Sequence, residues 1–262
     1  MNNVFDIKRF WKYLVYDLRQ TVANFGIGLL VVGALPVVIY LATGVFSLVF
    51  NHGQWNADPA TTQICAAIAA VIVLIMVFPS KVYGSITDRK AGASWALIPA
   101  SVPEKFVSML LVSLVIVPGV VVLMLFCFNA LMGWIVPGYE DLFTQFLRYD
   151  GTADGVPVQV NTFWLAFVSL ASSILVFLLG AVTFKKSKVG KTILCLMGLS
   201  ILFSFCISLL AHSGWKPDIA WFETATPETI SSRINLGLNL VNTVVFLLLG
   251  GCLYARLRTI KY

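Results

Sequence analysis

Six stretches of this 262-residue chain run free of Asp, Glu, Lys and Arg for longer than a helix needs to cross hydrocarbon. They lie between Arg19 and Asp58, Asp58 and Lys81, Lys105 and Glu140, Asp154 and Lys185, Lys191 and Lys216, and Arg233 and Arg256. A crossing of about 30 Å takes roughly 20 helical residues, so each interval has room for one. Composition agrees: 59% of residues are hydrophobic and 11% charged, whereas a soluble domain carries about a quarter charged residues. Soluble enzymes, nucleic-acid-binding modules, disordered chains and disulfide-stapled domains are excluded. Barrel strands would alternate and be far shorter. The chain reads as an all-α polytopic membrane protein with spans near 25–50, 62–82, 106–136, 162–184, 192–211 and 234–255. Pro36 and Pro118 predict kinks or tilts in the two longest.

Orientation follows from the basic residues. Fifteen of the 18 Lys and Arg fall in the N-terminal segment, the loops after spans 2 and 4, and the tail; only Arg148, Lys216 and Arg233 fall opposite. Both termini are therefore expected in the cytoplasm, as in a bacterial inner-membrane protein. The net charge of +6 reflects this topology and anionic headgroups, and implies no nucleic acid. The first apolar run is too long and starts too late for a cleavable signal peptide. Residues 1–24 are expected to form a cytoplasmic amphipathic elbow helix, 25–255 the six-helix domain, and 256–262 a cytoplasmic tail. In the elbow, Val4, Ile7, Phe10, Trp11, Leu14, Val15 and Leu18 recur at helical spacing, with Asp6, Lys8, Arg9, Lys12, Asp17 and Arg19 on the other face. That pattern, with Lys8, Arg9, Phe10, Trp11 and Lys12 at its centre, suits a helix lying among lipid headgroups.

The search for chemistry is mostly negative. Gly190-Lys191-Thr192 imitates the end of a P-loop, but Lys185 stands where its first glycine belongs. The chain is therefore not expected to hydrolyse nucleotide by itself. Gly92-Ala93-Ser94-Trp95-Ala96 resembles a nucleophile elbow without its last glycine, and no histidine on that side serves as base. His52 and His212, near Asp58 and Asp218, fall short of a convincing zinc site. Cys65, Cys127, Cys195, Cys206 and Cys252 all lie within spans and suggest packing rather than disulfides or metal. No catalytic residue, metal or cofactor is assigned to this chain.

The trimmed spans hold no ionisable residue, which argues against ion-coupled transport. They do carry Ser200, Ser204 and Ser208 at four-residue intervals, and Asn235, Asn239 and Asn242 on one face of the last span. These are candidates for a substrate path or dimer seam, beside the plainer role of interhelical hydrogen bonding.

The loop between spans 2 and 3 is the most informative. It includes Asp88-Arg89-Lys90 and ends in Leu97-Ile98-Pro99-Ala100-Ser101-Val102-Pro103-Glu104-Lys105. Ser101 with Glu104 is a capping-box pattern, and Pro103 suits a first helical turn, so span 3 has a specified start. Capping does not require the preceding Leu-x-Pro. Here the chain resembles the membrane subunits of type-2 ABC transporters, the six-helix export permeases, many of which carry a Leu-Pro-x-Ser-x-x-Glu-like phrase before span 3. The extra Ile98 departs from that phrase, and the long loop 137–161 departs from the usual short connection. The resemblance implies a coupling helix within 85–96 contacting a separate cytosolic ABC ATPase, which would bring ATP and Mg. It implies ATPase-coupling roles for Asp88, Arg89, Lys90, Trp95, Leu97, Pro99, Ser101 and Glu104, and pairing with a second copy or a related permease. The expected function is export of a hydrophobic or amphipathic substrate. The alternative is a membrane scaffold, sensor or immunity protein that presents loops 137–161 and 215–233.

Overall fold

The computed structural model describes residues 5–50, 54–55, 57–88, 92, 95–136, 152–153, 156–157, 162–212 and 227–259. Nearly all of these are helical. In chain order the helices are α1 (Ile7–Gly33), α2 (Leu35–Phe50), α3 (Pro59–Ile72), α4 (Phe78–Val82), α5 (Val102–Leu111), α6 (Val117–Ile135), α7 (Thr162–Thr183), α8 (Lys188–His212) and α9 (Pro227–Thr259). Two two-residue strands, β1 (Thr152–Ala153) and β2 (Val156–Pro157), pair antiparallel. Most of loop 137–161 and of segment 215–233 lies outside the described residues, as do Arg89 and Lys90.

Five continuous helical segments are long and apolar enough to cross a membrane: Thr61–Thr87, Val102–Ile135, Trp164–Thr183, Lys188–Leu209 and Asn235–Thr259. The pair α1 and α2, bent by 47°, supplies a sixth. Each falls on one of the intervals expected from the charges. The bend sits between Gly33 and Leu35, just before Pro36, whose ring cannot continue the backbone ladder.

Two further prolines, in the interior of membrane helices, are absorbed differently. Val73–Val77 and Val112–Ile116 are single π turns, placed immediately before the turns that contain Pro79 and Pro118. The Phe78 N–H bonds back to the Val73 carbonyl, and the Val117 N–H to the Val112 carbonyl. Each widened turn takes up the ladder bond a proline removes, so the helix continues without breaking. In both cases the π turn starts six residues before the proline.

The chain divides into two compact units, one of residues 1–149 with 257–262 and one of 150–256. In the first, α1 packs on α4, α5 and α6, and α2 packs on α3 and α6. Phe78, fully buried, stands edge-on to Phe25 at 5.5 Å between ring centroids and edge-on to Tyr83 at 6.3 Å. Ala66 and Ala70 are buried, and a Cβ at Gly33 would lie 2.9 Å from Met124 Cβ, so small residues set the closest helix approaches. At the far end of α2, Gly44 forms the seat of the Trp55 indole, whose Nε1 donates to the Tyr40 hydroxyl at 3.3 Å.

In the second unit α7 packs on α8. Gly180 makes this possible, since a Cβ there would collide with the Thr192 hydroxyl. The connection turns through Ser187, whose φ of 51° is the one left-handed value among the described non-glycine residues. The apolar side chains of α8 from Leu194 to Leu209 are exposed within the chain, which suits a surface solvated by lipid.

Candidate functional site

Polar groups at one end of the first unit form three tiers along α1, which starts at Asp6 as N-cap. Arg9, Tyr13 and Asp17 follow at four-residue intervals and so share a helix face. That face meets the start of α5 and the loop before it.

In the first tier the Arg9 guanidinium grips the Glu104 carboxylate through Nε, at 3.0 and 2.8 Å to its two oxygens, and through a terminal nitrogen at 2.7 Å. Glu104 is fully buried while the Arg9 side chain remains 36% exposed. The same carboxylate accepts the backbone N–H of Asp6 at 2.9 Å and of Ser101 at 2.9 Å. The Glu104 arm of the expected capping box is therefore formed, and it is extended to a second helix. One carboxylate caps α5 and ties down the start of α1.

In the second tier Trp95 Nε1 donates to the Tyr13 hydroxyl at 3.2 Å. Lys105 Nζ donates to the Trp95 carbonyl at 2.8 Å and sits 4.3 Å from the centre of the indole. This cation–π contact and two hydrogen bonds hold residues 95–98 against the helices. In the third tier Asp17, only 4% exposed, accepts the Ser108 hydroxyl at 2.7 Å and the Tyr83 hydroxyl at 3.1 Å, both on Oδ2.

The structure corrects one expectation. Asp17 was placed on the polar outer face of α1, yet it points inward with Phe10, Tyr13, Leu14 and Thr21. Conversely Ile7, Trp11 and Val15 are exposed, next to exposed Lys8, Lys12 and Arg19. The helix carries two apolar faces, one docked and one free. α1 runs on without a break through residue 24 to Gly33.

Among the other singled-out residues, Leu97 is 83% exposed, Asp88 and Pro99 are exposed, and Ser101 is buried. Trp95 is half-buried by its contacts to Tyr13 and Lys105. Ser200, Ser204 and Ser208 are exposed on α8, and Ser200 Oγ donates to its own helix at the Met197 carbonyl, 2.8 Å away. Asn235, Asn239 and Asn242 are half-buried on α9, and no hydrogen bond among the described residues joins them to the serines. His52 and Asp218 lie outside the described residues. Asp58 caps α3 by accepting the Thr61 N–H at 3.1 Å. Among the described residues no three His, Cys, Asp or Glu converge as metal ligands, and the five cysteines are free thiols.

The tiers contain no nucleophile paired with a base. What they do mechanically is bolt the loop after α4 to two helices at once. The sequence signal that was available for this was the Arg9-Tyr13-Asp17 spacing. No family model, curated protein or solved structure matches the chain.

Proposed function

We propose that this chain is the permease subunit of an ABC-type exporter in a bacterial cytoplasmic membrane, with both termini in the cytoplasm. It works as a dimer, with a second copy or a related permease, and separate cytosolic ATPases supply ATP and Mg. Its cargo is hydrophobic or amphipathic. In this reading the free face of α1, with Trp11 beside Lys8 and Lys12, lies among headgroups and anionic lipid.

The observation that carries the proposal is the fastening of residues 95–104 to α1. Coupling requires that a push on a cytoplasmic loop reach the membrane helices. Arg9–Glu104 and Tyr13–Trp95–Lys105 make that loop, the start of α1 and the start of α5 one mechanical piece. Leu97 projects from it as an exposed apolar residue, with Asp88 also at the surface, and the pair form a contact surface for an ATPase. Trp95, Ser101 and Glu104 act behind that surface by holding its shape.

The test is co-purification of a cytosolic ABC ATPase with this chain from detergent-solubilised membranes. Leu97→Asp combined with Asp88→Lys is expected to lower recovery of the ATPase about tenfold, equivalent to roughly 1.4 kcal/mol, with membrane insertion unchanged. Equal recovery from variant and unmodified membranes refutes the coupling surface and favours a scaffold or sensor.

A further inference from the structure

Asp17 is a carboxylate buried without a compensating charge among the described residues. Both of its hydrogen bonds fall on Oδ2, so Oδ1 receives none from the described residues. Among the described residues no Lys or Arg pairs with it; Arg9 is committed to Glu104 and Lys105 to Trp95. An unpaired buried carboxylate costs several kcal/mol unless a proton or a cation neutralises it. A recess beside it has room for the cation. Asp17 forms one wall of this recess of about 40 Å³, whose other walls include Tyr16, Tyr83 and Trp95, with Gln20 and Ile98.

Tyr16 and Tyr83 beside a carboxylate, with the Gln20 amide and Ser85 in the same lining, are the chemistry that recognises an ammonium group; the Trp95 ring in that lining already carries Lys105 Nζ. Hydrogen bonding narrows the class: Asp17 Oδ1 is an acceptor left open by the described residues, so an N–H-bearing ammonium can donate to it and a quaternary ammonium, which has no N–H, cannot. We infer that the recess between α1, the end of α4 and residues 95–98 is a binding site for a primary ammonium group, with Asp17 as its counter-ion. The group arrives either on a free amine or on the aminoethyl headgroup of a lipid. The site lies wholly within the first unit and does not depend on the exporter reading.

The test is thermal unfolding of the purified full chain in detergent, at constant ionic strength, with methylammonium, tetramethylammonium or sodium chloride. Methylammonium is expected to raise the midpoint saturably, by about 3–6 °C at ten times its dissociation constant, and the other two to leave it unchanged. Asp17→Asn keeps an oxygen for Ser108 and Tyr83 but removes the charge, and should abolish the shift. Should that variant fail to fold, Ile98→Trp fills the recess from its wall without touching those hydrogen bonds, and should abolish the shift too. Nanodiscs identify the source. If phosphatidylethanolamine discs already give the higher midpoint and free methylammonium adds nothing, the lipid headgroup is the ligand. If methylammonium acts equally in phosphatidylethanolamine and phosphatidylcholine discs, the free amine is. Equal shifts from methylammonium and tetramethylammonium, no shift from any probe or lipid, or a full shift retained by Asp17→Asn overturn the site.

Discussion

Removing the Ser108 hydroxyl tests whether the third tier holds α1 to α5. Ser108 is fully buried and donates to Asp17 Oδ2 at 2.7 Å, the shorter of the two bonds that oxygen receives. A hydrogen bond to a charged acceptor contributes about 1.5–3 kcal/mol in soluble proteins. Side-chain bonds between membrane helices average only about 0.6 kcal/mol, because the unfolded chain in lipid also finds partners. Asp17, Ser108 and Tyr83 are all buried, but they meet at the charge-bearing first half of α1 rather than in its apolar stretch, so the figure falls between these limits. For Ser108→Ala we expect a loss of about 1–2 kcal/mol. Tyr83→Phe, which removes the longer bond of 3.1 Å, should cost about 0.5–1.5 kcal/mol.

The two donors converge on one oxygen, so their losses should not add. With both gone, the carboxylate has no protein donor left, and the double variant should exceed the sum of the singles by at least about 0.5 kcal/mol. Ser113→Ala is the matched control. Ser113 is equally buried, but its hydroxyl bonds the Met109 carbonyl in its own helix at 2.6 Å, so its loss unfastens nothing between helices. Its cost should stay within about 0.5 kcal/mol. Reversible unfolding in mixed micelles, followed by tryptophan fluorescence, measures all four variants. A Ser108→Ala cost no larger than that of Ser113→Ala, or strict additivity with Tyr83→Phe, refutes the argument.

Two further outcomes follow from the second unit. Gly180→Ala should lower the unfolding midpoint because its Cβ overlaps the Thr192 side chain, and Thr192→Ala should restore most of the loss; no rescue would mean that α7 and α8 do not meet there. Cysteines introduced at Gly151 and Lys188 should be labelled from outside the cell only at 151, as the fifteen-to-three split of basic residues requires; external labelling at 188 refutes the orientation.

The spans were legible because charge is expensive in hydrocarbon, and the cost acts on each residue independently of its neighbours. The break at Gly33–Leu35 was legible for a similarly local reason, since proline removes a donor wherever it stands. Whether a proline bends a helix or is absorbed is decided by what packs around it. Pro36 sits at a 47° bend, while Pro118 follows a π turn inside a continuous span. The start of α5 at Val102 could also be read, because Ser101 and Glu104 are three residues apart and need only each other.

The site was less legible because its residues are defined by partners remote in sequence. A helical wheel of α1 pools Phe10 and Leu14, which dock, with Ile7, Trp11 and Val15, which do not, and therefore points to a single apolar face. Asp17 then falls outside by default. Nothing local reveals that Tyr83 and Ser108, 66 and 91 residues away, bring donors to meet it. Glu104 shows the same effect in reverse. Its local role as a helix cap was visible, and capping alone would have left it at a solvent-exposed helix end. Its full burial is explained only by Arg9, 95 residues earlier, which turns a cap into a joint between two helices. Polar residues at the end of an apolar bundle are therefore best read in pairs across helices. Asp17, which gathers only neutral donors among the described residues, is the uncharged-partner counterpart of Glu104 with its Arg9.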